Sequence, residues 1–248
     1  MPTALNRGMR INYQTHGRGE PLVLIHGWTG DGRYWHELGY TTRLSGEFEL
    51  ILPDLRGHGD SDTPGNRDFS DAAFASDVVA VLDDLGIDSA HVFGYSLGGW
   101  VAFELLAAYP SRVRTAIIGG AHPYDEDLSA VRGLTPQALL DMLESANALL
   151  SGDSKERLAA YDPMVLASMI PDRVNQVHRF AHLPLPCLMI CGTTDWRFDD
   201  MRRFAEGKAN CEFVALEGLD HLQAFVQSDR LVPPLRDFLR AHPTATAG

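Results

Sequence analysis

The sequence predicts an α/β fold, in which a mostly parallel, twisted sheet of seven or eight strands has helices on both faces. Short apolar segments alternate with helical patterns along most of the 248 residues, and this alternation is typical of such sheets. One apolar segment, residues 90–94, runs directly into Gly-Tyr-Ser-Leu-Gly and then into a helix that Pro110 ends. A chain of this length can bury a full core.

Seven segments have the composition of strands. Residues 9–16 alternate polar and apolar side chains, which predicts an antiparallel strand at an edge of the sheet. The other six are short and apolar throughout, as strands buried on both faces must be. They are residues 21–26, 48–53, 90–94, 114–119, 186–192 and 212–216.

Four helices are predicted between and after these strands, at residues 70–85, 100–109, 199–206 and 233–241. Ser70 is the expected N-cap of the first, and Gly86 is expected to end it. Because proline has no amide hydrogen, the adjacent Pro233 and Pro234 are expected to start the last helix and not to lie inside it.

Residues 122–183 interrupt the alternation because they contain several helical signals and no strand. A group of helices between two strands predicts a cap over the carboxyl edge of the sheet, where open α/β sheets bind ligands. The predicted organisation is an α/β core, residues 1–121 and 184–248, with this helical cap inserted after the sixth strand. Within the cap, helices are expected to start near Pro136, Pro163 and Asp172.

Composition and charge limit the classes of partner. The net charge of −12 disfavours nucleic acids and anionic membrane surfaces. No signal-peptide pattern and no membrane-length apolar run are present in the sequence, so we expect a cytoplasmic protein. Cys187 and Cys191 lie on one predicted strand, about 13 Å apart, too far for a disulfide or a shared metal ion. We expect them to be small core residues in a reducing compartment.

The segment Gly94-Tyr95-Ser96-Leu97-Gly98 predicts a nucleophile elbow, a sharp strand-to-helix turn that exposes one hydroxyl. Ser96 would adopt a strained conformation with positive φ. Gly94 and Gly98 suit such a turn, since a Cβ at either position would clash with the neighbouring backbone. A dinucleotide-binding reading of the same glycines fails because Ser96 occupies the position where backbone must approach a pyrophosphate.

A serine hydroxyl needs a base, a group that orients the base, and donors for the oxyanion. His221 follows the last strand and precedes the last helix, which makes it the expected base, with His122 as the main competitor. Asp195 follows the penultimate strand and is the expected orienting carboxylate. Asp125 or Asp127 is the alternative acid.

The backbone amides of Trp28 and Leu97 are the expected oxyanion donors, because Gly27 lets the chain turn after its strand and Leu97 starts the helix after the serine. The aromatic residues expected to line the substrate pocket, unless they are simply core, are Tyr34, Tyr95, Trp196 and Phe198, with Trp28 beside them. Arg33 and Arg197 either bind a substrate carboxylate or are solvated. The sequence shows no metal-ligand cluster and no phosphate-binding loop, so no metal and no cofactor are expected.

Five segments in order resemble the α/β-hydrolase superfamily: LVLIHGW (22–28), ILPDLRGHGDSD (51–62), VFGYSLGGW (92–100), ICGTTD (190–195) and LEGLDH (216–221). The resemblance covers nearly the whole chain and implies Ser96 as nucleophile, Asp195 as acid and His221 as base. It also implies about eight strands, although the first strand of the family is short or absent here. Serine at the elbow argues against the epoxide hydrolases and haloalkane dehalogenases of this fold, which use aspartate.

The predicted function is a cofactor-free serine hydrolase that cleaves a small or medium carboxylic ester or lactone through an acyl-enzyme. The alternatives are a carbon–carbon bond hydrolase, a perhydrolase, or a lyase or cofactor-free dioxygenase that uses the same three residues. A ligand receptor is the non-enzyme alternative. A small molecule is the expected partner, and the sequence leaves the oligomeric state open.

Overall fold

The structure is a computed structural model that describes residues 2–182 and 185–243. Its strands are Thr3–Asn6 (β1), Met9–His16 (β2), Glu20–Ile25 (β3), Phe48–Pro53 (β4), Ala90–Tyr95 (β5), Val113–Gly119 (β6), Cys187–Gly192 (β7) and Cys211–Leu216 (β8). All eight form one sheet in the order β1-β2-β4-β3-β5-β6-β7-β8. Strands β3 to β8 pair in parallel, and β1 and β2 are antiparallel to their neighbours. The predicted fold class is confirmed.

The amino-terminal edge of the sheet differs from the prediction. Strand β2 is not at the edge, because β1 pairs with it through Ala4↔Ile11 and neighbouring residues. Both Ala4 and Ile11 are fully buried. Strand β1 has only four residues, two of them buried, so its sequence carries too short an apolar pattern to predict a strand.

The middle of the sheet is buried on both faces, and its far edge is not. All six residues of β5 and all six of β7 are buried. In β8 only Leu216 is buried, which contradicts the expectation that residues 212–216 are covered on both faces. Strand β8 has a neighbour on one side only, because it ends the sheet. Cys187 and Cys191 are buried free thiols, as predicted.

Eleven α-helices lie within residues 2–182 and 185–243. They are Gly32–Glu37 (α1), Tyr40–Leu44 (α2), Asp71–Asp84 (α3), Leu97–Ala108 (α4), Ser129–Arg132 (α5), Pro136–Ser145 (α6), Gly152–Ala159 (α7), Pro163–Ser168 (α8), Phe198–Glu206 (α9), His221–Val226 (α10) and Ser228–Ala241 (α11). Ser70 caps α3 as predicted, since its side chain accepts a hydrogen bond from the Ala73 amide.

Helix α11 corrects the prediction for the last helix. It begins at Ser228, so Pro233 and Pro234 lie inside it. Each proline removes one backbone hydrogen bond. The helix nevertheless buries an apolar face along its length, which includes Leu231, Leu235 and Leu239, and this burial offsets the lost bonds.

Helices α5 to α8 lie between β6 and β7, in a segment that we call the helical insertion (residues 122–182). The expected helix starts at Pro136 and Pro163 are present, with Thr135 and Asp162 as N-caps. The start expected at Asp172 is wrong, because the Asp172 carboxylate accepts from the Leu128 amide and the next residue forms a β-bridge with Glu126.

Two predictions lie outside the described residues: the position of the cap–core boundary at 183 and 184, and the chain after Pro243. Across the described part of the chain, none of the helices combines the length and the apolar character that a membrane span requires.

Candidate active site

The turn between β5 and α4 has the geometry of a nucleophile elbow. Ser96 has φ 56° and ψ −114°, a conformation that L-residues rarely adopt. A Cβ on Gly94 would lie 2.0 Å from the Gly98 carbonyl oxygen, and one on Gly98 would lie 2.1 Å from that of Ile25. Both positions therefore require glycine, for the steric reason that the sequence predicts.

The structure brings Ser96, His221 and Asp195 together at the carboxyl edge of the sheet. His221 Nε2 lies 3.0 Å from Ser96 Oγ, and His221 Nδ1 lies 2.7 Å from Asp195 Oδ2. These distances are consistent with the tautomer in which Nδ1 donates to the carboxylate and Nε2 accepts from the hydroxyl. The three residues come from the ends of β5, β7 and β8. Along the chain, His221 lies 125 positions from Ser96 and 26 positions from Asp195.

Asp195 is 4% exposed and is held by two donors. Its second oxygen, Oδ1, accepts from the Arg197 backbone amide at 3.0 Å. Burial raises the pKa of Asp195, but the neighbouring imidazole and the Arg197 amide together hold the pKa below its usual value. The carboxylate is therefore ionised and can stabilise positive charge on the imidazole.

The backbone that directly follows β6 packs closely against the His221 imidazole. Gly120 has φ +58°, and a Cβ there would lie 2.6 Å from His221 Cε1. The Tyr95 hydroxyl donates to the His221 carbonyl at 2.7 Å. Gly120 was not identified from the sequence, although the Gly119-Gly120 pair at the end of a predicted strand was an available signal.

Two backbone amides beside Ser96 are free. Neither the Trp28 amide nor the Leu97 amide donates a hydrogen bond to any residue that the structure describes. Leu97 is the first residue of α4. Gly27, the residue before Trp28, approaches Ser96 so closely that a Cβ on Gly27 would lie 3.4 Å from Ser96 Cβ. The positive end of the α4 dipole adds to the attraction that this location has for negative charge.

A cavity of about 820 Å³, including its open mouth, lies above Ser96 and His221. The core supplies Trp28, Tyr34, Tyr95 and Trp196 to its wall. The helical insertion supplies only apolar side chains, which are Val131, Leu134, Leu139, Met142 and Leu143.

Phe198 corrects the predicted pocket, because it is not among the residues that line this cavity. It is the first residue of α9, which turns its ring onto β8. There the ring lies edge-on to Phe213, with 5.4 Å between centroids. The position of Phe198 in the sequence, close to Asp195 and Trp196, therefore did not indicate the direction of its side chain.

Each of the two arginines is paired with carboxylates of the chain itself. Arg33 forms ion pairs with Asp31 at 2.9 Å and with Asp60 at 2.6 Å. Arg197 lines the cavity but is only 2% exposed, and its Nε pairs with Glu126 Oε1 at 2.7 Å. Both positive charges are thus compensated by the chain's own carboxylates.

The alternative bases and acids lie elsewhere. His122 is buried and accepts from the Tyr124 amide through Nδ1. Asp125 accepts from the Asn175 amide and Asp127 from the Ser129 amide, so each stabilises a loop. Among the residues with described positions, no group of three or more His, Cys, Asp or Glu side chains could hold a metal ion.

The comparisons with known proteins agree with the fold. A family model described as the alpha/beta hydrolase fold matches residues 20–174. The pimeloyl-[acyl-carrier protein] methyl ester esterase of Aeromonas hydrophila is 31% identical over 183 residues, which are 73% of this chain and 68% of that protein.

Solved structures match along almost the whole chain. A meta-cleavage product hydrolase from Pseudomonas fluorescens IP01 superposes with a TM-score of 0.83 at 24% identity, covering 98% of both chains. An esterase from Rhodococcus sp. ECU1013 gives 0.80 at 26% identity, covering 97% of this chain and 98% of that one. The elbow, the order of the strands and these matches together show that the chain belongs to the α/β-hydrolase fold family.

Proposed function

We propose that the protein is a serine hydrolase that cleaves a carboxylic ester or lactone with an apolar acyl group through an acyl-enzyme. The observation that carries this proposal is the continuous hydrogen-bonded series Asp195–His221–Ser96, which opens into a cavity next to two free amides. We assign Ser96 as nucleophile, His221 as general base and Asp195 as the residue that orients the base.

The reaction follows from this geometry. His221 Nε2 takes the Ser96 proton while Oγ attacks the ester carbonyl, and the resulting oxyanion binds the Trp28 and Leu97 amides. The imidazolium then donates its proton to the leaving alcohol as the carbon–oxygen bond breaks, which leaves an acyl-serine. Water attacks the acyl-serine by the same route, with His221 again taking and returning one proton. The three side chains, the ester and one water molecule account for every atom and charge in these steps, so the reaction needs no cofactor.

The lining of the cavity supports an apolar acyl group. The five side chains from the helical insertion carry no charge, and the one arginine in the wall is paired with Glu126. A substrate with a carboxylate on its acyl part would bury that charge without a free cation, which is costly. This favours an ester or lactone over carbon–carbon cleavage of a carboxylate-bearing dienoate. The esterases found among the relatives support the same class of reaction.

The test is hydrolysis of p-nitrophenyl esters from acetate to octanoate, together with a lactone and a vinylogous diketone acid. Wild type should prefer an ester or lactone, and Ser96→Ala should lower kcat/KM by about 10⁴-fold or more. Ser168→Ala is the matched control, because the Ser168 hydroxyl only donates to the Val165 carbonyl of its own helix. Undiminished turnover by Ser96→Ala would refute the nucleophile, and preference for the diketone acid would refute the substrate class.

A covalent adduct distinguishes acyl transfer from base-only chemistry. Intact mass spectrometry of the protein quenched during octanoate turnover should show one added octanoyl group on wild type and none on Ser96→Ala. A lyase or oxygenase that uses His221 only as a base would turn its substrate over without this acyl adduct.

A further inference from the structure

A second charged group touches the imidazole and has no part in the reaction described above. Arg197 Nη1 lies 3.3 Å from His221 Nδ1 and 3.4 Å from His221 Nε2. An atom this close to both nitrogens would overlap Cε1, which lies between them, if it lay in the plane of the ring, so Nη1 lies over the ring face. The guanidinium carbon also lies over two indole rings, 4.5 Å from the Trp196 centroid and 5.0 Å from that of Trp100.

The guanidinium is neutralised by a carboxylate from the helical insertion. Glu126 Oε1 lies 2.7 Å from Arg197 Nε and accepts from Trp196 Nε1 at 2.9 Å. The Glu126 side chain is only 9% exposed. Its backbone is held by two hydrogen bonds with Arg173, at 2.8 and 3.0 Å, so the carboxylate reaches the site from a fixed position.

We propose that Arg197 and Glu126 form a positioning pair that sets the pH range in which His221 can act as the general base. The proposal rests on the function assigned to His221 above. A cation over the ring opposes a second positive charge on the imidazole, and the carboxylate beside that cation offsets the effect.

Other charged and titratable groups lie around the pair and His221. They are Asp195, Cys191, Tyr95, His122, Asp200 and Arg173. His122 Nε2 lies 4.0 Å from Glu126 and 3.6 Å from Asp200. Burial lowers the pKa of His122, although Glu126 and Asp200 oppose this shift.

The test is the pH dependence of kcat/KM on p-nitrophenyl butyrate for three variants. Glu126→Gln keeps the shape of the side chain and one acceptor oxygen but removes the negative charge, so the midpoint of the acid limb should fall by about one pH unit. Arg197→Met removes the cation and keeps the backbone amide that binds Asp195, so the midpoint should rise by a similar amount. The double variant should return the midpoint toward that of wild type.

A matched control separates electrostatics from stability. Arg56 and Asp77 form another buried pair, with 2.7 Å between Nε and Oδ2, and neither residue contacts Ser96 or His221. Arg56→Met should lower the thermal midpoint of unfolding without moving the acid limb. If Arg197→Met proves too unstable to assay, Glu126→Gln alone decides, because it is the more conservative change.

An NMR titration of the His221 imidazole in the Ser96→Ala background measures the same shifts without any turnover. Opposite shifts for the two single variants support the proposal, whichever ester the enzyme uses. Equal midpoints in all variants, or shifts in the same direction, overturn it and leave the pair with a structural role. Loss of esterase activity alone bears on the proposed function and not on this inference.

Discussion

The two walls of the cavity are built in different ways. The wall that carries Ser96 and His221, which we call the catalytic wall after the proposed function, consists of closely packed strand ends. A Cβ at Gly94 or Gly98 would meet backbone, and one at Gly120 would meet the His221 ring. The opposite wall consists of short helices of the insertion, which contribute apolar side chains such as Leu139 and Leu143. At Gly133, which directly follows α5, a Cβ would lie 3.6 Å from the nearest atom, which is an ordinary contact.

This difference suggests that the wall of strand ends determines the reaction, whereas the wall of insertion helices determines which substrates are preferred. Close backbone packing holds Ser96 and His221 within bonding distance and tolerates almost no change. Side-chain packing on helices can be altered by one or two methylenes while the backbone stays in place. Changes in the catalytic wall should therefore affect all substrates alike, and changes in the insertion should affect some substrates more than others.

The largest effect is expected for Gly98→Ala. The added Cβ would lie 2.1 Å from the Ile25 carbonyl oxygen and 2.8 Å from that of His26, so the backbone must move. We expect a loss of about 3 kcal/mol or more in the free energy of unfolding and loss of turnover on every ester. Urea denaturation and kcat/KM across the ester series measure both.

The matched control for that change lies in the insertion. Gly133→Ala adds the same methyl group where φ is −79° and the surroundings are open, so stability should stay the same or rise slightly. Equal losses for Gly98→Ala and Gly133→Ala would contradict the proposed difference between the walls.

A smaller and selective effect is expected for Leu139→Ala. Removing this side chain from the cavity wall takes contacts away from a long acyl chain and leaves a short one unaffected. The ratio of kcat/KM for octanoate to that for acetate should fall by roughly 10-fold, since one or two lost methylene contacts change specificity by about that much.

Leu24→Ala provides the comparison in the sheet, because Leu24 is fully buried in β3 and does not line the cavity. It should cost about 2–5 kcal/mol of stability and leave the octanoate-to-acetate ratio unchanged. A ratio that falls equally in both variants would show that the insertion does not determine chain-length preference.

The same contrast explains how much could be predicted from the sequence. Ser96, Asp195 and His221 were predicted to lie together because each follows a strand of the parallel sheet, and parallel strands bring their carboxyl ends to one edge. The position of Gly98 is likewise a local consequence of the tight turn. These features depend on chain order and on backbone sterics, which a sequence shows directly.

The failures of prediction depend on tertiary contacts. Phe198 lies next to Trp196 but faces β8, because the first turn of α9 sets its direction. The partner of Arg197 is Glu126, 71 residues away in the insertion, and no local pattern connects the two. Pro233 and Pro234 lie inside a helix because an apolar face buried on the core offsets their missing hydrogen bonds.

The smallest expected effect concerns stability at mildly acidic pH. It again differs between the core and the insertion, because the histidine responsible is buried in the core. His58 is 1% exposed in the core, and burial together with the nearby His26 lowers its pKa to about 3. An unfolded chain takes up this proton near pH 6.5, whereas the folded chain cannot do so until about pH 3. The stability that the neutral imidazole contributes is therefore complete above pH 6.5 and is lost progressively as the pH falls from 6.5 to 3.

His58 alone should make the free energy of unfolding about 1 kcal/mol lower at pH 5.5 than at pH 7.5. Urea denaturation at the two values measures this difference. His58→Asn should reduce it, because an amide can still donate to the Arg56 carbonyl but does not titrate. His182→Gln, an exposed position in the insertion, should leave it unchanged. If His58→Asn and His182→Gln reduce the difference between the two pH values equally, the acid sensitivity does not come from the buried core histidine.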